Sequence, residues 1–148
     1  MNVAFFLKPK SDVAFLYDHY SIRQGLEKMC YHGYSSIPVL DKDGKYVGTV
    51  SEGNFLWYIV RGENSETGIN YQVEIQNLED KKVADIVEKG KYPPVKITSD
   101  MTELFSRATE QNYVPVVDDR EYFIGLITRG DIIKYFYKNT WYLGKYML

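Results

Sequence analysis

Two stretches of the chain decide the fold: residues 38–59 read PVLDKDGKYVGTVSEGNFLWYI, and residues 115–136 read PVVDDREYFIGLITRGDIIKYF. With Pro38 placed on Pro115, an offset of 77 residues, the stretches align over 22 positions without a gap. Six positions are identical, two of them glycines, and nine more exchange residues of the same kind. Because the glycines, the proline and the apolar positions coincide at one offset, we interpret the chain as an internal duplication, with copy one before copy two.

Each copy predicts a strand, a helix, two strands and a second helix, so the predicted fold class is α+β. The elements are expected at residues 13–17, 21–33, 37–40, 46–51 and 55–60 in copy one, and at 94–97, 100–110, 114–117, 123–128 and from 130 onward in copy two. The first helix of copy one opens with a capping-box pattern from Ser21 to Gln24.

The polar stretch 61–80 reads as a linker or a long excursion between the copies. Residues 82–89 read as a short helix that enters copy two. We therefore divide the chain into residues 1–75, which hold copy one with the N-terminal segment and the linker, and residues 76–148, which hold copy two with a C-terminal aromatic tail.

The composition of the 148 residues excludes several classes of protein. With 45% hydrophobic and 26% charged residues, the chain is typical of globular proteins and not of disordered ones. Its single cysteine cannot form an intrachain disulfide, so we expect a cytoplasmic location. The net charge of −2, with scattered basic residues, argues against binding to nucleic acid. The apolar run at residues 3–7 is too short for a signal peptide or a membrane span.

Motifs of catalysis and of metal binding are absent from the sequence. It contains no glycine-rich phosphate loop, no nucleophile elbow and no zinc-spaced cysteine pair. Cys30 and His32 are two residues apart on a predicted helix and therefore face different ways. We expect no catalytic residue, no metal site and no enzyme activity.

A repeated turn offers the most specific chemistry. In each copy a hydroxyl residue at the end of a strand precedes an acid or amide by three positions, as Ser51 precedes Asn54 and Thr128 precedes Asp131. One interpretation is a helix N-cap, although Asp and Asn are one methylene shorter than the Glu or Gln that a capping box prefers. The other is a ribose site, in which the carboxylate accepts hydrogen bonds from two vicinal hydroxyls. The residues alone favour neither interpretation.

The motifs around this turn resemble the cystathionine-β-synthase (CBS) domain. The resemblance lies in GYSSIPVLD at residues 33–41, in YVGTVSEGN at 46–54 and in FIGLITRGD at 123–131. Two such motifs resemble a CBS pair, or Bateman module, over about residues 11–60 and 82–138. The resemblance implies two β-α-β-β-α repeats around a pseudo-two-fold axis, with two clefts that bind adenosine-containing ligands in many members of the family.

The resemblance also implies which residues would bind such a ligand. The ribose positions are Thr128 and Asp131 in copy two and Ser51 and Asn54 in copy one. Because the amide of Asn54 carries no charge, we expect the copy-one site to be weak, altered or empty. The residues expected around the base are Thr98, Tyr113, Val114, Pro115, Tyr34, Ser36, Ile37 and Pro38, and those for phosphate are Arg129, His19 and Arg107. A core role for each tyrosine and a solvent-facing role for Arg129 are the alternatives.

The aromatic residues of the C-terminal region predict an interface. They are Tyr135, Phe136, Tyr137, Trp141, Tyr142 and Tyr146. By resemblance to CBS pairs we expect a homodimer, with docking to a target protein or to a membrane surface as competing uses.

The sequence therefore supports two functional hypotheses. The first is a regulatory sensor that binds AMP, ADP, ATP or a cyclic dinucleotide, needs no obligatory cofactor, and acts in trans on a partner protein that the sequence does not name. The second is an assembly or scaffold module whose clefts bind no ligand.

Overall fold

The computed structural model describes the backbone of residues 1–61 and 75–147 and the side chains of residues 1–60 and 78–139. The chain forms two compact units, each built on one copy of the repeat. The first unit is Ala14–Lys91, and the second unit combines Met1–Val13 with Tyr92–Leu148. This grouping differs from the division after residue 75, because residues 1–13 group with copy two and residues 76–91 group with copy one.

Both copies contain the predicted order of strand, helix, strand, strand and helix. The strands are β1 (Lys8–Pro9), β2 (Leu16–Tyr17), β3 (Ser36–Leu40), β4 (Tyr46–Ser51), β5 (Val95–Lys96), β6 (Tyr113–Val117) and β7 (Phe123–Thr128). The helices are α1 (Ile22–His32), α2 (Glu52–Arg61), α3 (Ile75–Asp80), α4 (Met101–Glu110) and α5 (Arg129–Met147). The α+β class is confirmed.

The first unit contains a three-stranded sheet in the order β2-β3-β4, with β2 parallel and β4 antiparallel to β3. Helix α1 begins with the predicted capping box, because Gln24 N donates to Ser21 Oγ and Ser21 N donates to Gln24 Oε1. It ends at Gly33, which adopts the left-handed conformation with φ 69°. Its apolar face packs on the sheet around Leu16, Ile22 and Phe55.

The second unit contains a four-stranded sheet in the order β1-β7-β6-β5. Strand β6 is buried along its whole length, as expected for the middle of a sheet. The N-terminal segment fills part of this core, since Val3 and Phe6 are buried with Leu104 and Ile127. A segment that precedes copy one in the chain thus completes the core of copy two.

A short segment from outside the repeat covers one edge of each sheet. The covered strand is β4 in the first unit and β7 in the second. In the second unit, Lys8 of β1 pairs with Leu126 in antiparallel fashion. In the first unit, Glu88 forms an isolated antiparallel bridge with Thr49. Thr49 and Leu126 are 77 residues apart, so Lys8 and Glu88 lie at equivalent positions of the two sheets.

The region that follows the linker contradicts one prediction. The helix expected at residues 82–89 is wrong: a 3-10 helix covers only Val83–Asp85, and Glu88 forms a bridge with Thr49 of β4. The region also belongs to copy one, since Val83 N donates to Tyr20 O at 2.8 Å and the Val83 side chain is buried in the first core. Burial of Val83 in that core accounts for the difference.

The close approach of Glu88 to β4 predicts the effect of a single methyl group. A Cβ built on Gly48 would lie against the Glu88 carbonyl oxygen, closer than real Cβ atoms come to backbone. We expect Gly48→Ala to destabilise the protein by about 1 to 3 kcal/mol in urea unfolding. Gly53→Ala is the matched control, because its Cβ would make an ordinary 3.5 Å contact with Ser51 Oγ. Equal stability of the two variants would contradict the prediction.

Candidate functional site

In copy two, the repeated turn forms a helix N-cap and leaves a carboxylate exposed. Thr128 ends β7, and its Oγ1 accepts a hydrogen bond from Asp131 N at 3.0 Å. The Asp131 side chain is 31% exposed, and its Oδ2 lies 3.3 Å from Lys8 Nζ, whose side chain is 48% exposed. The capping interpretation therefore accounts for Thr128 and the Asp131 backbone, while the Asp131 carboxylate remains accessible for a further contact.

In copy one, the side chains of both Ser51 and Asn54 take part in the cap. Asn54 N donates to Ser51 Oγ at 3.2 Å, and Asn54 Oδ1 accepts from Ser51 N at 2.8 Å and from Ser51 Oγ at 2.9 Å. The argument that an Asn side chain is one methylene short of this return bond is wrong for copy one, because the bond forms at ordinary length. The remaining amide group, Nδ2, donates to Glu88 Oε1 at 2.5 Å.

The residues expected around the base differ in exposure. Ile37 and Val114 are fully buried in the two cores, so their side chains are enclosed by protein. Pro38 and Pro115 are buried. Ser36 is half-buried at the start of β3, and Thr98 is exposed just after β5. Tyr34 is exposed and stacked on His32, whereas Tyr113 is buried against Tyr92. A base role for these residues stays a prediction.

Each of the residues expected to bind phosphate has contacts within its own unit. The Arg129 guanidinium donates to Ala108 O at 2.7 Å and to Thr109 O at 3.2 Å. It thus satisfies carbonyl groups of the last turn of α4, where a cation is electrostatically favourable. Arg107 lies on α4, with Nη2 3.9 Å from Glu103. His19 belongs to the first unit, is exposed, and stacks on Tyr17.

Sequence reasoning missed Lys8 and Glu88, whose charged side chains contact the repeated turns. They are 80 residues apart and not 77, so the offset that aligns the copies does not pair them. Each lies on a segment too short to show strand periodicity. Their equivalence follows only from the strand pairing with Leu126 and Thr49.

Comparison with known proteins identifies the family. The sequence profile of the CBS domain matches residues 6–61 and 83–138, which is most of the chain. The chain belongs to the CBS domain family. The two matches correspond to copy one and copy two, so the protein carries two CBS domains in tandem.

Two solved structures and one further protein sequence are similar to this chain. The CbpB protein of Listeria monocytogenes, solved in complex with c-di-AMP, is 25% identical with a TM-score of 0.78, covering 93% of this chain and 96% of that one. Another CbpB structure with c-di-AMP is 23% identical with a TM-score of 0.84, covering 98% and 90%, and shares the fold. The chloroplastic CBS domain-containing protein CBSX1 of Arabidopsis thaliana is 25% identical over 90% of this chain. The match spans 63% of the length of CBSX1.

Metal sites and membrane-spanning helices are two further possibilities for the part of the chain that the structure describes. There, no three or more His, Cys, Asp or Glu side chains converge as metal ligands would. None of the described helices combines the length and the apolar character that a membrane crossing requires.

The two turns predict different effects of alanine on the unliganded protein. Asn54→Ala removes the acceptor of two Ser51 donors and should cost about 1 to 2 kcal/mol. Asp131→Ala keeps the bond from its backbone N–H to Thr128 and loses an exposed ion pair, which should cost about 1 kcal/mol or less. At about 2 to 4 °C per kcal/mol, a calorimetric midpoint should fall further for Asn54→Ala. A larger fall for Asp131→Ala would contradict this account of the caps.

Proposed function

We propose that the protein is a regulatory module that binds an adenine nucleotide and, in response, alters its contact with a partner protein. The observation that carries the proposal is the Thr128–Asp131 turn, where a partly exposed carboxylate stands at the start of α5. A carboxylate accepts hydrogen bonds from both hydroxyls of a ribose, and the free N–H groups of a helix start favour an anion nearby. The c-di-AMP complex of the related Listeria CbpB supports an adenine-containing ligand.

The ligand classes follow from this chemistry. AMP, ADP, ATP and cyclic dinucleotides such as c-di-AMP all present an adenosine and differ in the number and linkage of their phosphates. Thr128 and Asp131, with Ser51 and Asn54 in copy one, are proposed for the ribose, and the residues around β3 and β6 for the base. The proposed role is that of a binding module and not of an enzyme, in keeping with the family, and the proposed location is cytoplasmic.

A thermal-shift panel with AMP, ADP, ATP, c-di-AMP and GTP tests the proposal. A nucleotide at about 100 times its Kd should stabilise the protein by about 2.7 kcal/mol, or roughly 5 to 10 °C. We expect a shift with at least one adenine nucleotide and a smaller one with GTP. If none of the adenine nucleotides moves the midpoint, the scaffold hypothesis replaces the sensor hypothesis.

Asp131→Ala should then weaken nucleotide binding by copy two while leaving the unliganded midpoint nearly unchanged. Asp119→Ala is the control, because Asp119 is an exposed acid in the turn between β6 and β7. Isothermal titration of the wild type and both variants measures the effect. Equal binding by all three proteins would remove Asp131 from the site.

We further propose that the protein acts as a homodimer through its helices. In the first unit, α1 and α2 border an apolar groove lined by Leu26, Met29, Phe55, Leu56 and Ile59. In the second unit, α4 and α5 border another, lined by Phe105, Ala108, Ile132 and Ile133. Leu56 and Ile133 are equivalent at the offset of 77, and both side chains are more than half exposed.

These repeated apolar grooves suit a second copy of the chain, because a two-fold pair presents the same surface from both partners. The exposed rings of Phe136 and Tyr137 extend the apolar surface along α5. The remaining aromatic residues of the predicted interface, from Trp141 onward, lie outside the residues whose side chains are described.

The double variant Leu56→Glu/Ile133→Glu tests the homodimer. Buried charges should shift sedimentation from a dimer to a monomer at the same protein concentration. Arg120→Glu, in the exposed turn between β6 and β7, controls for added negative charge. A wild type that sediments as a monomer would reject the dimer, and docking to a different protein or to a membrane surface would then be the remaining uses of these grooves.

A further inference from the structure

Asn54 by itself lacks the means to accept a ribose hydroxyl. Its Oδ1 already accepts hydrogen bonds from Ser51 N and Ser51 Oγ, and an amide oxygen has two lone pairs. Its Nδ2 is a donor only. A copy-one site that relied on Asn54 in the way that copy two relies on Asp131 would therefore have no acceptor to offer.

The acceptor missing from position 54 is present on Glu88, directly beside it. Glu88 Oε1 accepts from Asn54 Nδ2 at 2.5 Å, and the side chain is 53% exposed. Among the described residues, the second carboxylate oxygen, Oε2, has no partner. The turn of copy one therefore presents a carboxylate oxygen to solvent, held in place by the amide of Asn54.

The equivalence of Glu88 and Lys8 strengthens this interpretation. Both residues pair with the same position of the sheet, Thr49 in one unit and Leu126 in the other, and both side chains reach the residue at the third position of the helix. Where that residue is Asp131, the edge residue is a lysine. Where that residue is Asn54, the edge residue is a glutamate.

Each turn has a carboxylate beside an ammonium group once the edge segments are included. Copy two combines the carboxylate of Asp131 with the ammonium of Lys8 at 3.3 Å. Copy one combines the carboxylate of Glu88 with the ammonium of Lys91 at 3.9 Å. The carboxylate and the ammonium group of this pair come from different positions of the chain in the two copies.

We propose that Glu88 supplies the ribose-binding carboxylate of copy one, so that both repeats bind an adenine nucleotide. The inference rests on the proposed nucleotide-binding function and replaces the expectation of a weak or empty copy-one site. Asn54 becomes a positioning residue, which orients Glu88 through Nδ2 and caps α2 through Oδ1. The ribose hydroxyls donate to Glu88 Oε2, as they donate to Asp131 in copy two.

The test isolates copy one in the Asp131→Ala background and uses AMP and c-di-AMP as probes in isothermal titration. We expect the wild type to bind two AMP per chain, and Asp131→Ala to bind one. Adding Glu88→Gln, which keeps the shape of the side chain, should weaken the remaining binding by about tenfold or more, because a hydrogen bond to a charged acceptor is lost. Adding Asn54→Asp to that double variant returns a carboxylate to the turn and should restore most of the affinity.

The outcomes separate this inference from the proposed function. If the wild type binds neither probe, the proposed function fails and Glu88 loses its role with it. If the wild type binds but Asp131→Ala does not, the proposed function stands and the role of Glu88 is overturned. Equal binding with and without Glu88→Gln, or no recovery with Asn54→Asp at an unchanged unliganded midpoint, also overturns it. Glu121→Gln, an exposed acid of the second unit, controls for the loss of one negative charge.

Discussion

The close contact between each sheet and its edge segment is the constraint on which the rest of the structure depends. Gly48 and Gly125 lie where the backbone carbonyl groups of Glu88 and Lys8 approach, and neither position has room for a Cβ. The contact brings a segment from outside each repeat against its last strand. It also carries Lys8 and Glu88 to the start of α5 and α2, where the candidate site lies.

Much of the fold follows from the sequence because most of its signals are local and several of them recur in both copies. The antiparallel pairs β3–β4 and β6–β7, the cap at Ser21 and the end of α1 at Gly33 each have a local cause in capping, turn or strand chemistry. The edge segments have no such local cause. A two-residue strand and a single bridge leave no periodic pattern, and burial of Val83 in the first core outweighs the helical pattern of residues 82–89.

Four residues of the candidate site could be predicted from the sequence, again because of the duplication. Thr128, Asp131, Ser51 and Asn54 stand in the repeated register, so one alignment finds all four. The cap and the proposed ligand contact are compatible uses of one turn. In copy two the hydroxyl and a backbone N–H form the cap, which leaves the carboxylate available. In copy one the amide oxygen closes the cap and the amide nitrogen faces the edge residue.

If Glu88 has the proposed role, the two copies differ in where the ribose-binding carboxylate lies in the chain. Asn54 looks like a loss of function when the 22 aligned positions are compared, because the comparison ends where the repeat ends. The residue across the sheet edge lies outside the alignment, and it changes from lysine to glutamate as position 131 or 54 changes from acid to amide. A repeat protein whose sheets are edged by segments from outside the repeats can compensate a substitution at such a turn from the neighbouring strand position. The charged groups around such a turn must then be identified from the strand pairing as well as from the sequence alignment.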